Sequence, residues 1–485
     1  MEKQKGKQKE RDVVIVDWDD ADAHRNPQNW SKASRWFYTG LVCHLAFNVT
    51  FASTSPSATQ QAIASEFGVG REVGTLVISL FLTGYISGPL IWSPMSEHIG
   101  RRIPLLLSFF VNMQLILGQA LGQNIQTVLV TRFFSGIFAA APLTLSAGII
   151  SDLWDPFHKS IALSLFTASV LSGPGLGPMM GGFVTQTIGW RYTFWILYGY
   201  DWLSWIVVFV FLPETYSPVL LTAKARKLRQ HFGGEMLKSL RSAREVEDSR
   251  KKAEAGERGW ISSFLKETIL RPWYILVKEP IMWLVTAYQS LIFGLMYGLL
   301  ELFPVIWQEG HGFTLGQVGL VFLFLFVGTT SGALCNIFIN VALQKSYDKG
   351  SRQPVHEDRV RGTMIAAPTL VVGIFWLGWA GGYPVSVPWY VPALAAIPIG
   401  FGFSLIFITT NTYVVQVYGP YAASALAAAT MTRSMFAVAF PLFMRQAAHG
   451  IGVQYIGTLF GCVAACLSPI PFGKPSMSFL SLTRS

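Results

Sequence analysis

Four ionisable residues, Arg132, Asp201, Glu301 and Arg433, stand inside long apolar stretches of this 485-residue chain. A charge at the centre of a bilayer costs about 2.5–3.5 kcal/mol on insertion scales, so such residues pair, face water or carry a function. Glu301, in Gly298-Leu299-Leu300-Glu301-Leu302-Phe303-Pro304, lies towards one end of its stretch. It is either a protonatable group facing a cavity or an interfacial carboxylate reaching headgroup water. Asp201 falls midway along its stretch and reads as a hydrogen-bonding group to a neighbouring helix. Arg433 reads as a packing or gate arginine.

Two motifs stand beside these charges. In Ser172-Gly173-Pro174-Gly175-Leu176-Gly177-Pro178-Met179-Met180-Gly181-Gly182, glycine and proline are dense within an otherwise apolar stretch. In hydrocarbon such backbone is tolerable only where it packs on protein or lines a cavity. The glycines admit a close neighbouring helix, and the prolines bend or loosen the turn. The other motif runs from Gly88 through Glu97-His98-Ile99-Gly100-Arg101-Arg102: a helix ending in an acid, a glycine turn and two arginines. Its carboxylate can bridge to the next helix terminus or to arginine, latching one face shut. The plainer reading is a turn that only obeys charge bias.

The elements that must hold these residues are membrane spans. Hydrophobic residues make up 51% of the chain, charged residues 13%, and the mean hydropathy is +0.41. A soluble domain carries about 25% charged residues. With about 20 apolar residues per crossing, twelve spans are expected at 36–57, 74–96, 103–122, 127–150, 160–185, 191–213, 280–306, 316–343, 363–381, 387–412, 422–448 and 453–472. This predicts an all-α membrane protein. Its domains are a tail (1–35), a six-helix bundle (36–213), a polar loop (214–279), a second six-helix bundle (280–472) and a C-terminal tail (473–485). If the N-terminus is inside, 32 of the 37 lysines and arginines fall on the cytosolic side. The positive-inside bias therefore places both termini in the cytosol.

Other classes are excluded by what is missing. Basic residues fall between spans, without the interleaved aromatics of a nucleic-acid surface, so no nucleic acid is expected. No Gly-x4-Gly-Lys-Ser/Thr loop occurs. Cys43, Cys335, Cys462 and Cys466 lie in apolar stretches with no companion ligands, so free buried thiols are expected and no metal site. None of the eight histidines forms a convincing constellation with a nucleophile, so no catalytic residue and no cofactor is expected. The N-terminus lacks a signal-peptide core, which leaves the first span as its own insertion signal. The loop segment bearing Trp260, Phe264, Leu265, Ile269, Trp273 and Tyr274 suits a helix lying in the cytosolic interface.

The sequence resembles the major facilitator superfamily. Gly88 and Glu97-His98-Ile99-Gly100-Arg101-Arg102 are similar to its signature between the second and third spans, with Glu97 where Asp is commoner. The run Gly173 to Gly182 resembles the antiporter-branch motif of the fifth span. Asn26-Pro27-Gln28-Asn29-Trp30, Leu212-Pro213-Glu214-Thr215-Tyr216, Arg271-Pro272, and Arg433-Ser434 through Phe440-Pro441-Leu442-Phe443 are similar to fungal twelve-span drug–proton antiporters. Three features depart from that pattern: Gln416 where relatives often carry an aspartate, a single basic Lys159 after the fourth span, and an unusual C-terminus.

The resemblance implies two pseudo-symmetric bundles around a central cavity, lined mainly by spans one, four, seven and ten, which rock to expose substrate to either side. It implies proton coupling through Arg132, in Thr131-Arg132-Phe133-Phe134-Ser135-Gly136, with Glu301 as the protonatable partner if both face the cavity. The gate would comprise Gly88, Glu97, Gly100, Arg101 and Arg102, and the antiporter helix would carry Gly173, Pro174, Gly177, Pro178, Gly181 and Gly182. Tyr85, Tyr297 and Phe407 are candidate cavity-lining residues. An apolar, aromatic cavity suits hydrophobic or cationic molecules. The expected protein is thus a monomeric plasma-membrane exporter, embedded in the lipid bilayer, that exchanges amphipathic drugs, toxins or secondary metabolites for protons. Its partners are a small-molecule substrate and protons. The alternatives are an importer or facilitator of a nutrient, polyamine or vitamin, a membrane-embedded enzyme such as an acyltransferase, and a sensor without flux.

Overall fold

The computed structural model describes residues 14–18, 24–232, 237–239, 271–348, 361–418 and 422–469. Twelve helices within these residues correspond to the expected spans. In the first half they are α1 (Lys32–Thr54), α3 (Arg71–Ile99), α4 (Arg102–Ala120), α5 (Ile125–Leu153), α6 (Pro156–Thr187) and α7 (Trp190–Phe211). In the second they are α10 (Pro280–Phe303), α11 (Leu315–Asp348), α12 (Arg361–Gly381), α13 (Tyr390–Tyr418), α14 (Ala422–Ile451) and α15 (Val453–Leu467). Shorter helices are α2 (Gln60–Phe67), α8 (Ser217–Phe232) and α9 (Arg271–Lys278). A three-residue parallel pair, β1 (Val14–Val16) with β2 (Leu237–Ser239), is the only strand pairing among the described residues.

Among the described residues ten helices are long and apolar enough to cross a bilayer. Helix α1 falls short in hydropathy because Thr39, His44, Asn48, Thr50 and Ser53 punctuate it, and all but His44 are buried. Helix α15, at 15 residues, falls short in length. The expected interfacial segment around Trp260 to Ile269 and the tail beyond residue 469 lie outside the described residues. Trp273 and Tyr274 sit exposed on α9.

Sequence signals set the ends of these helices. The side chains of Ser31 and Asn124 accept from backbone N–H groups three residues on, capping α1 and α5. Gly189 and Gly452 take φ of +101° and +94° directly before α7 and α15, the last helix of each half. Both need a glycine, since a Cβ is strained there.

Within the first half, α3 packs on α5, α4 on α5 and α7, and α1 on α6. Within the second, α11 packs on α13, α10 on α14, and α12 on α13 and α15. The halves meet along two principal seams, α6 against α11 and α3 against α14. Large apolar side chains such as Leu203, Val210, Phe338 and Val372 face outward and are more than half exposed, as lipid contact requires. Cys462 and Cys466 lie on that outer surface of α15, so two of the four free thiols are exposed rather than buried. Hydropathy alone misses this because a membrane bundle is as apolar outside as inside.

Candidate functional site

A cavity of about 340 Å³ lies between the two halves. Helices α1, α5, α10 and α13 contribute Thr50, Thr144, Tyr297 and Phe407, and α3, α6 and α14 add Tyr85, Phe166 and Arg433. Tyr85, Tyr297 and Phe407, the three candidates read from the sequence, all line it. Glu97, Arg101 and Lys159 also line the cavity, towards the end of the bundle where the Gly100 turn sits, referred to below as the basic end.

At that end the Gly100 turn is held by a carboxylate the sequence reading did not assign. Glu214 accepts from the backbone N–H of Arg101 through Oε1 at 2.9 Å and from that of Arg102 through Oε2 at 3.1 Å. An anion at these free donors caps the start of α4 and complements its dipole. Gly100 has φ of +103°, and a Cβ there would overlap the Glu214 carboxylate. Arg101 donates to Asp152 Oδ2 at 3.2 Å and to Ser96 Oγ at 2.7 Å, and its guanidinium lies 4.6 Å from the Tyr216 ring. Arg102 donates to the Phe209 carbonyl at 2.9 Å. Glu97 is exposed, so the acid that bridges to the next helix is Glu214. None of these bonds crosses to the second half; the neighbouring α6–α11 seam does, with Ser160 Oγ donating to Asn340 Oδ1 at 3.1 Å and Asn336 Nδ2 to Ser164 Oγ at 2.7 Å. Gly88 serves a different contact, close passage of α3 against Ala140 of α5.

The opposite end is sealed between the halves. Gln60 of α2 donates from Nε2 to Glu301 Oε1 of α10 at 2.7 Å, with both side chains buried. Thr75 donates to Gln60 Oε1 at 3.0 Å, fixing which way that amide points. One turn from Glu301, the Tyr297 hydroxyl and Ser53 Oγ are 3.1 Å apart across the same divide. Ser79 donates to the Val438 carbonyl at 3.1 Å, and the Gly316 N–H to Gln186 Oε1 at 3.1 Å. A small pocket here is lined by Arg71, Glu72, Thr75, Glu301, Arg445 and His449. Arg445 and His449 both pair with Glu309. Glu301 therefore belongs to this seam and not to the central cavity.

Arg132 is fully buried and also stands outside the cavity lining. It donates to the Val77 carbonyl at 2.8 Å, Ser53 at 3.2 Å and Ala52 at 3.3 Å. Ala52 and Ser53 belong to the last turn of α1, whose carbonyls lack intrahelical partners and attract a cation. Its guanidinium also lies 4.3 Å from the Phe81 ring. Arg132 and Glu301 are thus not paired directly; Ser53, which touches both Arg132 and Tyr297, stands between them. Asp201 is fully buried and accepts from Asn112 Nδ2 of α4 at 3.3 Å, while Asn112 accepts from Ser135 at 2.6 Å. Among the described residues no group of three or more His, Cys, Asp or Glu side chains is placed to hold a metal ion.

The glycine–proline run lies inside α6, which continues through Pro174 and Pro178. Gly173, Gly177 and Gly181, at fourfold spacing, turn to α1, where Cβ atoms would overlap Thr50, Thr54 and Ser55. Gly175 and Gly182 turn to α11, where a Cβ on Gly175 would lie 2.8 Å from Phe326 Cβ. Thr54 Oγ1 donates to the Gly173 carbonyl at 3.1 Å. Glycine on two faces lets α6 lie tightly against its own half and the other half at once.

A helical bundle with an apolar belt, whose halves enclose one chamber sealed at one end, defines a membrane transport protein. The sequence matches the Major Facilitator Superfamily over residues 40–441, and the chain belongs to that family of multi-pass membrane transporters. It is similar to the MFS-type efflux pump MFS2 of Trichophyton rubrum, at 35% identity over 96% of this chain and 75% of the relative. It is also similar to the major facilitator superfamily multidrug transporter mdrA of Aspergillus fumigatus, at 34% over 96% and 75%. A third relative is the ascochitine biosynthesis cluster MFS transporter of Didymella fabae, at 34% over 95% and 86%.

Proposed function

We propose that this transporter exports amphipathic small molecules in exchange for protons, from a plasma membrane in which both termini and the basic end face the cytosol. The single observation that carries the reading is the asymmetry of the cavity. It reaches the basic end, while the other end is closed by a buried Gln60–Glu301 bond between the halves. Cargo enters from the cytosol, the halves rock, and the seam parts. Parting separates Gln60 from Glu301 and gives the carboxylate to outer water, where it takes a proton. Reclosure then buries a neutral acid, which costs less than burying a carboxylate. The cycle closes when Glu301 gives that proton up towards the cytosol-facing cavity, which Tyr297 reaches one helical turn away, so that a carboxylate again meets Gln60 before the next parting. Arg132 acts as a positioning residue: it clasps the end of α1 at Ser53, and Ser53 meets Tyr297, which touches the cavity. The efflux and multidrug names of two relatives support export.

The test expresses the chain in a strain lacking its own pumps and screens a panel of toxic compounds for resistance and lowered accumulation. Glu301→Gln keeps the shape and the acceptor but not the titration. The variant is expected to abolish proton-driven efflux with expression unchanged. Full efflux by Glu301→Gln would remove that residue from the coupling.

A further inference from the structure

The arginines that meet the interior of the bundle are satisfied in different ways. Arg132 has three carbonyl acceptors, and Arg101 has Asp152 and Ser96. Arg433 has neither. Its guanidinium rests on a shelf of two rings, 4.7 Å from the centroids of both Phe293 and Phe407, which are themselves 5.2 Å apart. Ring faces attract a cation but offer its N–H groups no strong acceptor. Its Nε is buried and unbonded, and among the described residues no carboxylate or carbonyl takes its other donors. Arg433 lines the central cavity together with Tyr297, Asn411, Thr430 and Ser434. Among the described residues the lining also holds Lys159 and Arg101, against one carboxylate, Glu97, at the exposed mouth.

We propose that Arg433 is the anchor of the cargo site and that the cavity selects amphipathic organic anions, an aromatic or aliphatic body bearing a carboxylate or an acidic phenol. The cargo's oxyanion takes the open donor edge of Arg433, and its apolar body lies on Phe166, Tyr85 and the two-ring shelf. A planar guanidinium matches a carboxylate with two parallel hydrogen bonds, and charge assistance makes each roughly twice as strong as a neutral bond. A cationic drug would meet Arg433 in the same chamber, with no carboxylate beside it among the described residues. The aromatic composition alone suggested hydrophobic or cationic cargo, and Arg433 argues against the cationic part of that expectation. The inference rests on the export reading for its physiological meaning, but the site itself does not depend on proton coupling.

Three probes of matched size separate the alternatives: 1-naphthoate, 1-naphthamide and 1-naphthylmethylammonium. Binding of each to the full chain in lipid nanodiscs is measured by calorimetry at pH 7.5, with protein-free nanodiscs as the blank. The expected result is 1-naphthoate about tenfold or more tighter than the amide, with the ammonium weakest. Arg433→Gln should bring 1-naphthoate down to the amide's affinity while leaving the amide within about twofold, and Arg433→Lys should retain part of the preference. The amide reports whether the Gln variant keeps its cavity; if it does not, the order of the three probes on the unaltered protein decides. Equal affinities, tightest binding of the ammonium, no saturable binding of 1-naphthoate, or an anion preference that survives Arg433→Gln in an intact cavity would each overturn the proposal. No proton gradient exists in this measurement, so failure here leaves the Glu301 reading standing, and loss of Glu301 coupling leaves this one standing.

Discussion

If the Gln60–Glu301 bond holds the outer seam, Gln60→Leu should open it. The substitution removes the 2.7 Å bond to Glu301 and the 3.0 Å bond from Thr75, in a site where both partners are buried. A hydrogen bond to a charged group contributes about 1.5–3 kcal/mol. At about 1.4 kcal/mol per factor of ten, the ratio of parted to closed seam should rise roughly 10- to 100-fold. Thr75→Val removes only the neutral contact and should move the ratio by less than about tenfold. Spin labels at Glu72 on α3 and Ile451 at the end of α14, both exposed, report the seam by pulsed dipolar spectroscopy in nanodiscs. The four native cysteines are replaced first. A longer-distance population that grows in Gln60→Leu and stays small in Thr75→Val is the expected outcome. An unchanged distance distribution in Gln60→Leu would refute the assignment of this pair as the gate.

Other consequences concern packing, capping and pH. Gly181→Val should cost about 1–3 kcal/mol through overpacking against the Ser55 carbonyl, seen as a lower melting temperature; an unshifted melt would contradict the contact. Glu214→Gln should loosen the start of α4, giving faster amide exchange over residues 101–105; unchanged exchange would remove Glu214 as the cap. Glu66, on α2 outside the spans, accepts from Trp190 Nε1 at 2.6 Å and from Arg191, and these bonds hold its carboxyl below the usual range. Its stabilising contribution is therefore complete above the ordinary glutamate pKa and is lost as pH falls through its lower folded value. Glu66→Gln should flatten the acid limb of melting temperature against pH, and an identical limb in both proteins would show that this group does not shape it.

Span positions were legible in the sequence because bilayer thickness fixes a length and hydrocarbon fixes a composition. Helix α1 is the least hydropathic of the long helices in the first half because it buries Asn48 against Ser204, Ser53 against Tyr297 and Thr50 at the cavity, and buried polar residues lower hydropathy without breaking a helix. The glycine run pointed to close packing from composition alone. That its glycines serve two neighbours emerges only when Gly181 and Gly175 are seen on different faces of one helix. Glu214 was hidden because it lies 113 residues from Arg101, and such a pairing leaves no local spacing. Arg433 was visible as a charge in a span, but its depth and its ring shelf depend on how α10, α13 and α14 converge. Residues 426, 430, 433 and 434 line the cavity along one face of α14, and that periodicity is the signal that would have found it.

Transport by purified protein in sealed vesicles with an acidic lumen tests the central claim most directly. The cargo is the compound that the resistance screen selects, followed as label accumulating in vesicles whose proteins present the basic end outward. Accumulation above equilibrium that collapses when an ionophore dissipates the proton gradient is the result this account predicts. Accumulation that continues unchanged after the gradient is gone would contradict it.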